Sequence, residues 1–121
     1  MRNEIIQLVA DFLLQKGVDV QIECKQAGWD CTMLHEAAFR NQSDLIRLLV
    51  KMGADVNAEV GDDGTPLSWA AENGIYEATK TLIECGADVN YASRGVSVLR
   101  SARGFGKYEV AKLLKEHGAK E

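Results

Sequence analysis

The chain has 121 residues, of which 46% are hydrophobic and 26% charged, and its formal net charge at pH 7 is −4. This length suits one domain or one short repeat array, and the composition is that of an ordinary globular protein. No stretch approaches the ~20 apolar residues of a membrane span, and no secretory signal is evident. Three cysteines without framework spacing, Cys24, Cys31 and Cys85, favour reduced thiols. We therefore expect a cytoplasmic protein without a membrane partner.

The charge is divided unevenly along the chain. Residues 1–90 contain 7 Lys/Arg and 15 Asp/Glu, whereas residues 91–121 contain 7 Lys/Arg and 3 Asp/Glu. An acidic body with a basic end can steer a charged partner. The simpler interpretation, which we prefer, is that terminal segments of an array carry many charges because they are solvated.

Residues 3–16 have the apolar spacing of an amphipathic helix. Ile5, Leu8, Val9, Phe12 and Leu13 recur at intervals of three and four residues. We expect this face to dock on the next unit while the polar side meets water, so that the helix caps the array. A partner-binding or membrane-surface helix is the alternative, which the acidic and neutral polar side disfavours.

The connection after this helix is unusually long. From Gly17 to Thr32 it is three residues longer than its counterpart from Gly53 to Thr65, and it carries Trp29. Long exposed loops with an aromatic near the tip are common recognition elements. The sequence is equally compatible with a loop that covers the junction to the first helix, with Trp29 packed inward.

Residues 65–90 define a repeating unit, TPLSWAAENGIYEATKTLIECGADVN. Thr65 and Pro66 begin a short helix, because proline costs nothing at the first helical position. Asn73-Gly74 ends it, and a second helix runs to Gly86, which suits the left-handed position after a helix. Neither helix is long enough to be stable alone in water, so the unit needs neighbours.

The neighbours are present on both sides. Leu34, Leu67 and Leu99 are 33 and 32 residues apart, and each precedes a glycine by 19 residues. Upstream, residues 32–41 and 43–52 are the two predicted helices, with Ser43 as the N-cap of the second.

The downstream unit is the least regular. Val98 replaces the proline, and Gly104 and Gly106 weaken the first helix. A second helix is predicted from about Tyr108 to His117, with a charged outer side that suits the end of an array.

A period near 33 residues with Thr-Met-Leu-His-Glu-Ala at 32–37 and Thr-Pro-Leu-Ser-Trp-Ala at 65–70 resembles the ankyrin repeat. The resemblance covers 29–121 and, more weakly, the N-terminus. It implies an all-α ankyrin-repeat solenoid of helix–turn–helix units with short extended finger loops. The single domain 1–121 would comprise an N-terminal cap helix and long finger (1–28), repeats at 29–60 and 61–93, and a C-terminal capping repeat (94–121).

The resemblance also implies where a partner binds. In ankyrin repeats the fingers and first helices form a concave face that binds other proteins, whereas a histidine at the position of His35 hydrogen-bonds the loop backbone. Aromatic and arginine side chains dominate binding hot spots. The positions implied for this face, together with the row of aromatics beside them, are Trp29, Phe39, Arg40, Asp62, Asp63, Trp69, Glu72, Tyr91, Arg94 and Phe105.

The sequence predicts no catalytic, cofactor-binding or metal site. Cys24, Cys31 and His35 are close in sequence, but they include no Cys-x2-Cys pair and lack a fourth ligand. Asp62 and Asp63 lie on a finger tip, where water solvates them and no pocket raises a pKa. We expect no enzyme activity.

We therefore expect a protein–protein interaction module that is monomeric when free and binds a partner protein. A basic partner would suit the acidic body of the chain. The first alternative is a small stand-alone inhibitor or immunity-type protein that blocks an enzyme or toxin. The second is nucleic-acid binding through the basic third repeat, although the acidic majority of the chain argues against it. The groups concerned are Arg94, Arg100, Arg103 and Lys107, with Tyr91 and Phe105 between them.

Overall fold

The computed structural model describes residues 2–18, 23–26, 29–60 and 64–120, and side chains within 4–18, 32–60 and 64–120. In these residues the chain forms seven helices and two short antiparallel hairpins. They are α1 (Arg2–Gln15), β1 (Glu23–Gln26), β2 (Trp29–Thr32), α2 (Met33–Phe39), α3 (Ser43–Lys51), α4 (Pro66–Glu72), α5 (Tyr76–Glu84), β3 (Ala92–Ser93), β4 (Val96–Ser97), α6 (Val98–Gly104) and α7 (Tyr108–Glu116).

The helices form a stack of three helical hairpins. The first helices α2, α4 and α6 pack in one row, the second helices α3, α5 and α7 pack in another, and α1 packs on α3. Each first helix also packs on the second helix of its own repeat, so the core is shared between the two rows. This arrangement confirms the predicted all-α solenoid. Its largest fully buried apolar side chains are Leu34, Ile46, Leu49, Leu67, Leu82, Leu99 and Leu114.

The first helices begin at side-chain caps. Thr65 Oγ1 accepts a hydrogen bond from the Ser68 N–H (3.2 Å), and Ser68 Oγ accepts one from the Thr65 N–H (3.0 Å). Thr32 and His35 form the same reciprocal pair at α2, and Ser97 caps α6. Each cap satisfies a backbone N–H that the helix itself leaves unpaired. The predicted Thr-Pro start of α4 is confirmed.

The predicted N-cap of α3 was wrong. Helix α3 begins at Ser43, and Gln42 occupies the cap without a side-chain hydrogen bond. Asn41 takes a left-handed conformation (φ 56°) immediately before it. The connection from α2 is therefore so tight that Gln42 is the last residue outside the helix, and Ser43 falls inside the first turn.

The predicted inward face of α1 was also wrong, for four of its five residues. Ile6 and Ala10 are buried, and Leu13 packs on the core. The outward side of the helix carries apolar side chains whose exposed fractions lie between 40% and 68%: Ile5, Leu8, Val9 and Phe12. Apolar residues cover more than half of this helix, so the spacing of three and four fits two different faces.

The Gly-Ala-Asp-Val-Asn segments join successive repeats. Asn57 Oδ1 accepts a hydrogen bond from the Asp88 N–H (2.7 Å), and Asn90 Oδ1 accepts one from the Lys120 N–H (2.8 Å). Within each turn the aspartate side chain accepts from the N–H of the asparagine two residues later, at 2.9 Å in both turns. The same joint is thus used twice.

Two of the fingers, predicted as extended loops, contain short strand pairs. Strands β1 and β2 pair with Glu23 opposite Thr32, and β3 pairs with β4. Arg94 (φ 54°) and Gly95 (φ 78°) form the two-residue turn between β3 and β4. Positive φ at both positions matches the twist of the flanking strands.

Candidate partner-binding face

Trp69 lies on α4, in the middle of the row of first helices, and is half-buried. Its ring packs edge-on against the buried ring of His35 from the preceding repeat, with 5.0 Å between ring centroids and 67° between ring planes. The T-shaped geometry is one that aromatic pairs prefer. Trp69 is therefore held by the neighbouring repeat while part of its surface remains accessible.

His35 is fixed by contacts on both ring nitrogens. Nδ1 lies 2.8 Å from Thr32 Oγ1, and Nε2 lies 2.8 Å from the carbonyl oxygen of Gly64. The side chain is fully buried. The predicted bond to the loop backbone is confirmed, and it links the start of α2 to the finger that precedes α4. With both nitrogens engaged, His35 is a structural residue and the base on which Trp69 rests.

The ends of two first helices expose large aromatics. Phe39 at the end of α2 is 52% exposed, and Phe105, which follows α6, is 64% exposed. Arg40 follows Phe39 in the chain and pairs with Glu36, with 2.6 Å between Nε and Oε1. An exposed pair of this kind contributes little to stability, so the guanidinium can exchange this contact for one with a partner.

Tyr91 ties the base of the third finger to the second. Its hydroxyl donates a hydrogen bond to Glu59 Oε2 at 3.0 Å. Desolvation raises the pKa of Tyr91, and the hydrogen bond with Glu59 raises it further. Partial burial also raises the pKa of Glu72 on α4, whose carboxylate acts on Tyr91 as well. Two carboxylates, those of Glu59 and Glu72, therefore act on Tyr91.

The remaining predicted residues fall into two groups. Arg94 occupies the tip of the β3–β4 hairpin with an exposed side chain. Trp29 belongs to β2, but its side chain lies outside the described residues, as do Asp62 and Asp63 entirely. The structure thus relates Trp69, Phe39 and Phe105 through the row α2, α4 and α6, and Tyr91 through its contact with Glu59.

The sequence analysis missed one contributor to the surface. Glu59 accepts the hydrogen bond from the Tyr91 hydroxyl. Glu59 has no motif of its own, and only the structure places it beside a residue 32 positions later.

Among the described positions, no three His, Cys, Asp or Glu side chains are grouped so that they could hold a metal ion. A mainly polar, open cleft lies between the starts of α3 and α5, whereas ligand pockets are enclosed and mostly apolar. Its lining includes Asn41, Ser43, Asp44, Arg47 and Glu77. None of the helices described here has the length and apolar character needed to cross a membrane.

Comparison with known proteins gives consistent matches along the chain. A family model for ankyrin repeats (3 copies) matches residues 2–93 and 59–121. The chain is 39% identical over 90 residues to ankyrin repeat and SOCS box protein 11 of Danio rerio, which covers 74% of the chain and 30% of that protein. It is 31% identical over 99 residues to ankyrin repeat protein FPV244 of Fowlpox virus, covering 79% of the chain and 14% of that protein.

A third relative has a name that does not mention ankyrin repeats. Palmitoyltransferase Hip14 of Drosophila melanogaster is 39% identical over 75 residues, which cover 54% of the chain and 12% of that protein. The chain spans less than a third of the length of each of these three curated relatives.

Proposed function

The chain belongs to the ankyrin repeat family, and from this premise we propose that it is a protein–protein interaction module whose partner binds the concave face centred on Trp69. Ankyrin repeats are a non-catalytic interaction fold, and stacking them creates an extended surface that one side chain per repeat can line. The observation that carries the proposal is the position of Trp69, half-buried against His35 in the middle of the row of first helices.

A tryptophan held in this way has the properties of a binding anchor. Its ring is oriented before the partner arrives, because His35 is buried and bonded on both nitrogens. A preorganised side chain loses little conformational entropy on binding. Phe39 and Phe105 extend the apolar surface on the neighbouring first helices. Aromatic anchors surrounded by polar groups are the composition that carries most binding energy in protein interfaces.

The carboxylates beside Tyr91 favour a basic partner. Glu59 and Glu72 lie near Tyr91, and the pKa of Glu72 is raised by partial burial. A cationic side chain of the partner would attract the Glu72 carboxylate and lower this pKa, which would offset the effect of desolvation. We also propose that the interaction takes place in the cytoplasm, because the three cysteines cannot all pair within the chain. A basic partner predicts an association rate that falls as ionic strength rises.

The test is affinity capture from the native cell followed by measurement with the purified partner. Trp69→Ala should weaken binding at least ~10-fold, because truncating a central aromatic typically costs about 2 kcal/mol or more. Lys80→Glu, an exposed change on the second helix α5, is the matched control and should bind normally. Calorimetric measurement of binding at several salt concentrations would also show whether the partner is basic.

A second pair of variants distinguishes loss of binding from loss of folding. Phe39→Ala and Phe105→Ala remove side chains that are 52% and 64% exposed, so neither should change the melting temperature by more than a degree or two. Each should weaken binding by a few-fold. Normal binding by all three aromatic variants, together with loss of binding in Lys80→Glu, would place the interface on the second helices and refute the proposal.

A further inference from the structure

We infer that the partner protein inserts an arginine side chain into the middle of the concave face, beside Trp69 and Glu72. This inference rests on the proposed function and names the chemical group that the face would recognise. We call the site the Gly104 recess. It is bounded by two residues of α4 and by three at the end of α6, which are Trp69, Glu72, Ser101, Gly104 and Phe105.

The first helices α2, α4 and α6 can be matched position by position, because each has seven residues. The fourth position is half-buried in all three helices, and the seventh position and the C-cap are exposed in all three. Residues three apart lie on the same side of a helix, so these positions form the open side of the row. They are Glu36, Trp69 and Ser101 at the fourth position, Phe39, Glu72 and Gly104 at the seventh, and Arg40, Asn73 and Phe105 at the C-cap.

The third repeat leaves space on this open side. Ser101 corresponds to Trp69 and Gly104 corresponds to Glu72, and the two helices that carry them pack on each other. A Cβ added at Gly104 would meet nothing within 4 Å. Packed helices lie about 8–10 Å apart, so two small residues on α6 leave room for a side chain of the partner next to Trp69. Phe105, which follows Gly104 and is 64% exposed, adds a second aromatic ring at the end of the recess.

Glu72 gives the recess a negative charge that the neighbouring side chains do not neutralise. Among the residues that the structure describes, none forms a hydrogen bond or ion pair with the Glu72 carboxylate. In the first repeat, by contrast, Glu36 pairs with Arg40 four residues later, at 2.6 Å. Four residues after Glu72 the chain has Tyr76, which carries no positive charge at neutral pH. The recess therefore favours a cationic group from the partner, which would supply the missing counter-charge.

The aromatic rings of the recess favour arginine over lysine as that group. A guanidinium is planar, stacks on aromatic rings and can donate two parallel hydrogen bonds to one carboxylate. The ammonium of lysine is a strongly hydrated point charge that does neither. The Trp69 ring is held against His35, with 5.0 Å between ring centroids, and part of it stays accessible. An arginine in the recess would lie against this ring and direct its N–H groups toward Glu72.

The first test uses a capped amino acid, N-acetyl-arginine methylamide, as the probe. In an NMR titration of the whole chain it should shift the indole N–H signal of Trp69, with a dissociation constant on the order of 1 mM. The same derivative of citrulline has the shape of arginine without its charge and should bind at least ~10-fold more weakly. The lysine derivative should bind several-fold more weakly. Equal binding of citrulline would overturn the inference, and equal binding of lysine would overturn the assignment to arginine.

The second test locates the site with variants of the whole chain. Glu72→Gln should weaken binding of the arginine probe at least ~5-fold, because it removes the counter-charge. Gly104→Phe, which copies Phe39 of the first repeat, should weaken it as much by filling the recess. Glu77→Gln, at an exposed carboxylate on α5, is the matched control and should bind normally. All three positions are exposed, so circular dichroism melts should stay within a few degrees of the unmodified chain. Normal arginine binding by Glu72→Gln or by Gly104→Phe would overturn the inference.

Measurements with the purified partner separate this inference from the proposed function. Trp69→Ala tests whether the concave face is the interface, whereas Glu72→Gln tests only the arginine site. Weaker partner binding by Trp69→Ala, together with normal binding by Glu72→Gln, would leave the face in place and refute the arginine site. Normal partner binding by Trp69→Ala, together with binding of the arginine probe as expected, would refute the proposed function and leave the recess as a site for arginine.

Discussion

The second and third repeats have the same fold but different local support. Helix α4 begins with a proline and the reciprocal Thr65–Ser68 bonds, and it packs between α2 and α6. Helix α6 begins with the Ser97 cap, ends at Gly104 and packs on α4 alone among the first helices. Both bury their leucine almost completely. The leucine and the glycine after the second helix therefore specify the hairpin, while caps and neighbours determine how firmly each hairpin is held.

The largest expected effect comes from removing the buried leucine in each repeat. Leu67 is 1% exposed and Leu99 is 0% exposed, so truncation to alanine should cost about 3 kcal/mol of unfolding free energy at either site. Leu67→Ala weakens contacts to both neighbours and should lower the whole transition. Leu99→Ala should instead let the third repeat unfold separately, because stability in an array is a sum of units and interfaces.

Urea denaturation followed by circular dichroism would distinguish these outcomes. Leu99→Ala should broaden the transition or divide it into two, and Leu67→Ala should keep it single. Identical, single, equally shifted transitions in both variants would show that the two repeats are one cooperative unit without an internal difference.

An intermediate effect is expected in the unmodified chain. Amides in residues 97–106 should exchange with solvent sooner than those in 66–73, with a difference in opening free energy of about 1–2 kcal/mol. The reasons are that α6 packs on one first helix whereas α4 packs on two, and that α6 ends at a glycine. Native-state hydrogen exchange measured by mass spectrometry or NMR would show the order. Equal protection would mean that the caps and neighbours do not control local opening.

The smallest effect concerns Gly104, which lies in α6 where α4 has Glu72. A Cβ added at Gly104 meets nothing within 4 Å, so Gly104→Ala should raise the unfolding free energy by about 0.5–1 kcal/mol through reduced entropy of the unfolded chain. Gly106→Ala is the matched control and should be destabilising, because φ there is +74°. Thermal melts of both variants would test whether the third repeat can be made more like the second.

Much of the fold could be predicted from the sequence, because several side chains fit only one environment in a repeat stack. Leu34, Leu67 and Leu99 recur with the period of the stack and are all buried, and the bond from His35 to the Gly64 carbonyl is present as expected. The face of α1 could not be predicted. Ile5 and Ile6 are adjacent, equally apolar and on different sides of the helix, and only the position of α3 determines which one is buried.

The candidate site, too, could be predicted from the sequence only in part. Phe39 and Phe105 are exposed, consistent with residues that the core does not need, and Trp69 is half-buried with its ring against that of His35. That contact joins residues in different repeats, so no local pattern contains it. The role of this surface in binding stays a prediction, as do the domain boundaries drawn from the spacing.

The joint between repeats has a consequence for how such a chain can grow or shrink. Asn57 and Asn90 each supply an acceptor, and what they receive is a backbone N–H, from Asp88 in one case and Lys120 in the other. Every residue except proline offers that donor. The joint therefore places almost no demand on the identity of the next residue. A duplicated repeat brings its own asparagine acceptor, and the next repeat already offers the backbone N–H donor. Gene segments that encode one repeat can therefore be inserted or lost without matching changes in the neighbouring repeats.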